Sequence, residues 1–93
     1  MSTPAAYLHL FSVEMAITIP DNTPTSWQPR AFFVNKDDAV NACVNWGSHI
    51  GMTARVLNPV GGQVRRDWKS ADGQAWYENE LGEQVCLGYP VLV

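Results

Sequence analysis

The chain has 93 residues, 46% of them apolar and 16% charged, and nine acids against six bases give a net charge of −3. That is enough apolar mass for a single packed domain over 1–93, and it excludes a disordered chain, which is charge-rich and poor in large apolar groups. The acidic balance weighs against a dedicated nucleic-acid binder, which at this size is ordinarily basic.

From Tyr7 to Ile19 the odd positions are Tyr7, His9, Phe11, Val13, Met15, Ile17 and Ile19, and all but His9 are apolar. Ser12, Glu14 and Thr18 fall between them, so this period of two predicts one long, half-buried strand. A proline-containing loop is expected over 20–30, because Pro20, Pro24 and Pro29 each lack a donor and restrict the residue before them. Trp27 and Arg30 sit in that loop. Ala31–Val34 is expected as a short strand. Asn35 can cap a helix, and Asp37 and Asp38 suit the positive end of its dipole. Ala39, Ala42, Cys43, Trp46 and Ile50 share one face, which predicts a helix over 36–49 with Gly51 as its left-handed cap.

The pattern then changes to short strands. They are expected at 52–57, at 63–68 with Val64, Arg66 and Trp68 on one face, at 75–79, and at 84–87. Asn58–Gly62, Ala71-Asp72-Gly73 and Glu80–Glu83 are the turns between them. Gly62, Gly73 and Gly82 are each followed closely by Gln63, Gln74 or Gln84, the regularity of an antiparallel meander. A lone helix can bury its stripe only against that sheet. The expected fold is therefore α+β, a single antiparallel sheet of about five to six strands with one main helix on one face, in the order β-β-α-β-β-β-(β).

Chemistry-bearing residues are sparse. His9, on the apolar side of the first strand, and His49, at the helix end, share no motif. Cys43 lies on the helix core stripe and Cys86 lies mid-strand, with no close pair of metal-ligand spacing. Both are expected as small apolar groups in a reducing compartment, and a disulfide between them requires the helix to lie over the last strand. No nucleophile elbow or phosphate loop is present. No catalytic residue, metal or cofactor is expected.

Two surface readings remain. After Lys69 the chain has no Lys or Arg but has Asp72, Glu78, Glu80 and Glu83, an acidic edge suited to a basic protein surface. Trp27 and Trp76 are the candidate aromatic anchors, since Trp76 and Tyr77 point to opposite faces of one strand. The expected partner-binding residues are thus Trp27, Asp72, Trp76, Glu78, Glu80 and Glu83. The alternative is a nucleic-acid-binding sheet using Arg65, Arg66, Trp68 and Lys69, although alternation sets Arg65 opposite Arg66.

Trp68 followed by the run Asp72–Asn79 resembles the middle of a WW domain, but no second Trp followed by Pro closes that motif and no proline-peptide site is implied. In size and acidity the chain is similar to small phage-encoded inhibitors, including anti-CRISPR proteins. Surface occlusion by a small non-catalytic module is the expected function. No run of about eighteen apolar residues is present and the N-terminus lacks a basic export region, so a cytoplasmic protein without a membrane span is expected. Self-association through the first strand or through Val91-Leu92-Val93 is the further expectation.

Overall fold

The structure, a computed structural model, describes residues 9–17, 26–47, 49 and 51–88. The elements are β1 (Phe11–Ile17), β2 (Gln28–Phe33), α1 (Lys36–Trp46), β3 (Met52–Leu57), β4 (Gln63–Lys69), β5 (Ala75–Asn79) and β6 (Gln84–Gly88). They form one open antiparallel sheet in the order β2-β1-β3-β4-β5-β6, the α+β arrangement that the periodicities predict.

Small residues set the layer spacing. Val13 of β1, Ala54 and Val56 of β3, and Ala39 and Cys43 of α1 are fully buried together, with Phe11, Met15, Phe33, Val40, Trp46 and Val64 packed around them. The helix starts where Asn35 Oδ1 accepts the Asp37 N–H at 2.8 Å, leaving Asp37 and Asp38 in the first turn. It stops at Trp46, three residues short of the expected end, and Gly47 closes it with its N–H on the Cys43 carbonyl. A Cβ on Gly47 would lie 2.7 Å from Asp67 Cβ and from its carbonyl oxygen, so the helix ends in direct contact with the β4 backbone. Gly51 has a φ of +85°, but in the turn after the helix rather than as its cap.

Four other expectations need correction. Residues 28–30 belong to β2, so Pro29 is in a strand. β2 is an outer strand with a register irregularity opposite Val13 and Glu14, and an edge tolerates a missing donor. β1 is an interior strand between β2 and β3, so it is no edge for pairing with a second copy; Val91-Leu92-Val93 lies outside the described residues, as do 7, 8, 18–25 and Ile50. His9 precedes β1 and is exposed rather than placed on its apolar side. A second register shift, opposite Val56 and Leu57, sends Val64 to the helix-side core while Arg66 and Trp68 face away. One extra residue reverses the parity on which the shared face of Val64, Arg66 and Trp68 rested.

The meander is joined by three turns of the same construction. In Asn58–Gly62, Ser70–Gln74 and Asn79–Glu83 the first residue exchanges backbone bonds with the fourth and fifth. The fourth is Gly61, Gly73 or Gly82, at φ of +90°, +89° and +83°. These are three-residue hairpins with a left-handed glycine, which gives the glycine spacing in the sequence its physical meaning. Asn58 and Asn79 each accept two backbone N–H groups within their turns, and in the middle turn Asp72 Oδ1 accepts from the Ser70 hydroxyl and the Gln74 N–H. Those bonds hold the Asp72 carboxyl below its usual range.

Among the described residues no helix is long and apolar enough to cross a membrane.

Candidate functional site

The helix packs over β3, β1 and β4 and reaches β2. Its side of the sheet holds a buried polar cluster. Asp67 is 4% exposed and accepts from Arg65 through two bonds, Nε to Oδ1 at 2.7 Å and Nη2 to Oδ2 at 2.8 Å. Cys43 Sγ donates to the same Oδ1 at 3.3 Å, and the Arg65 guanidinium lies 4.1 Å from the centroid of Tyr77. The hydrogen-bonded carboxylate raises the Arg65 pKa. Burial, with Asp67 adding to it, pushes the Cys43 thiol far above its ordinary value. That thiol is a structural donor rather than a nucleophile. Cys86 lies in the outermost strand, where α1 makes no substantial contact, and both cysteines are free.

On the opposite face the register builds a ladder across four strands: Glu14, Arg55, Arg66 and Glu78. Arg55 binds Glu14, with Nη2 to Oε1 at 2.6 Å, and lies 4.2 Å over the Trp27 ring. Arg66 lies 4.3 Å over Trp68, and Trp68 is parallel to Trp76 with centroids 6.4 Å apart. Burial lowers the Arg66 pKa and Glu78 partly offsets this. Gln63 Nε2 donates to Glu78 at 2.8 Å. Trp27, Trp76 and Glu78 are therefore half-buried members of a structural face.

Of the six expected partner-binding residues only Asp72, Glu80 and Glu83 are exposed, and of these only Glu80 and Glu83 share a turn, the one between β5 and β6. Asp72 lies in the β4–β5 turn at the other end of β5, about 17 Å away for a five-residue strand. The nucleic-acid set is also divided. Arg65 is on the helix side with Asp67, Lys69 shares that side by alternation, and Arg66 and Trp68 face the other way.

The apolar half of the β5–β6 end carries no signal in the sequence pattern. Leu81 is 80% exposed between Glu80 and Glu83, Leu87 is 54% exposed and Val85 36%. Strand β6 is outermost, and Gln84, Val85, Cys86 and Leu87 are all exposed. Alternation marked 84–87 as a strand but could not show that no described strand lies beyond it. Glu80, Leu81, Glu83 and the β6 edge, which has no strand beyond it among the described residues, together form a continuous strip of acids and apolar groups, and the hairpin bearing it has no cation.

Among the described residues no three His, Cys, Asp or Glu groups are placed to share a metal ion, and His9 and His49 are both exposed. No protein-family model, curated protein or solved structure matches the chain.

Proposed function

We propose that this chain is a non-catalytic protein-binding module that covers a basic surface of its partner with the β5–β6 edge. The observation that carries this reading is the exposed strip of Glu80, Leu81, Glu83 and β6, in a stretch from residue 70 onward that holds four acids and no Lys or Arg. Of these acids Glu80 and Glu83 make no ion pair among the described residues, which favours a cationic partner, and the exposed apolar side chains beside them supply desolvation. The buried Cys43–Asp67–Arg65 cluster and the Glu14–Arg55–Arg66–Glu78 ladder serve the fold, so neither competes with this strip as a contact surface. An inhibitor that occludes a basic groove, of the kind phages and mobile elements encode, is the concrete form of the proposal.

The test is retrieval of the partner from the native cell with the tagged wild-type chain and with the double variant Glu80→Lys, Glu83→Lys. Both positions are exposed turn residues, so the fold is expected to survive the change. Glu78 is left intact because Gln63 and Arg66 depend on it. Capture is expected to fall by about tenfold or more, with a weaker loss when salt is raised against the wild type. Equal recovery by the two chains rejects the acidic strip as the contact.

A further inference from the structure

Building on that protein-binding reading, we infer that the partner supplies an extended, Lys- or Arg-bearing segment that pairs with β6 as an added strand. The turn bonds fix which way the β6 amides point. Asn79 N–H donates to the Glu83 carbonyl and Gly82 N–H to the Asn79 carbonyl, both at 3.0 Å, so Asn79 faces inward toward β6. Antiparallel alternation then turns the Val85 backbone groups toward β5 and those of Gln84 and Cys86 outward. All three residues are exposed and no described strand lies beyond β6, so among the described residues the outward donors and acceptors stand at the open side of the sheet.

The two edges of the sheet differ in protection. Edge strands that must not pair are blunted by proline, cationic side chains or bulges. β2 has Pro29, Arg30 and a register irregularity along its length. Between Gln84 and Cys86, β6 has neither proline nor cation, and its irregularity lies between Cys86 and Gly88, the partners of Trp76 and Ala75. Among the described residues the sheet is thus closed to strand addition on one side and open on the other. The flanking acids Glu80 and Glu83 select the charge of the incoming strand, and the Val85 side chain offers it an apolar neighbour. Main-chain pairing provides the docking geometry and the acids provide the preference.

The probe is a fluorescein-labelled, capped peptide of alternating Lys and Val, titrated against the full chain and read by anisotropy. Saturable binding to the wild type is expected, with no binding of the Glu–Val counterpart. Cys86→Pro removes an outward N–H without touching a bond to β5 and is expected to weaken the Lys–Val peptide by about tenfold or more, while Cys86→Ser retains the wild-type affinity. Circular dichroism checks the proline variant's fold, and Gln84→Pro, at the other outward amide, replaces it if it unfolds. Equal affinity for the proline and serine variants overturns strand addition while leaving the charge reading intact. Failure of the Lys–Val peptide to bind the wild type overturns the inference. A concentration-dependent dimer in sedimentation, abolished by Cys86→Pro, assigns the edge to a second copy and overturns it as well. Loss of partner capture by the Glu80→Lys, Glu83→Lys chain is a separate readout, so the two ideas fail separately.

Discussion

Asp67→Ala is expected to destabilise the chain by about 3 kcal/mol, because removing one partner of a buried ion pair leaves the other without compensation. Two donors converge on that carboxylate. Arg65 makes a bidentate pair with it and the Cys43 thiol donates to it from the helix. The Arg65 side chain is 21% exposed, so it recovers some hydration, which keeps the expected cost at the low end of such cases. For a domain of this size the loss corresponds to a fall in Tm of roughly 12–24 °C. Replacing the pair together, Asp67→Leu with Arg65→Met, is expected to restore most of the stability, since no charge is then left alone under the helix. Thermal unfolding of the single and double variants checks both statements. A cost below about 1 kcal/mol for Asp67→Ala would show that the cluster is not holding α1 to β4.

Gly47→Ala has a different cause and a comparable size. The Gly47 φ of −79° is open to any residue, so alanine meets no backbone penalty there. Its Cβ instead meets Asp67 Cβ and carbonyl oxygen at 2.7 Å and the carbonyl carbon at 2.8 Å, and the strand backbone cannot move aside as a flexible side chain does. The helix end must lift from β4, and overpacking of this kind costs about 2–3 kcal/mol. Gly82→Ala is the control. Nothing lies within 4 Å of its Cβ, but its φ is +83°, so its smaller cost of about 1 kcal/mol is conformational. Chemical denaturation of the two variants separates them. If Gly47→Ala proves no worse than Gly82→Ala, the close approach of helix and strand is not a constraint.

Elements set by local chemistry were legible in the sequence. Strands β3 and β5 have the bounds that alternation predicts, Asn35 caps the helix, and Ala39 and Cys43 face the core. What escaped depends on neighbours. Pro29 could join a strand only because that strand has a free side, and the interior place of β1 follows from the whole strand order. Val64 left the face of Arg66 because of one extra residue opposite Leu57.

The candidate site divides in the same way. Four acids after Lys69 are visible by inspection, but their distribution over two ends of β5 is a property of hairpin geometry. Trp27 and Trp76 look like free anchors until register brings Arg55 and Trp68 to them. Leu81 looks like an ordinary turn residue until its 80% exposure between two glutamates is known. These are pairings between distant parts of the chain, which periodicity does not encode.

The most direct measurement is amide hydrogen exchange of the chain, free and bound to the partner it retrieves from the cell. The outward amides of Gln84 and Cys86 are expected to exchange quickly in the free chain and to become protected on binding, together with the turn Glu80–Glu83. New protection confined to α1 or to the Trp27–Arg55 face, with β6 unchanged, would contradict the assignment of the acidic edge as the surface through which this module acts.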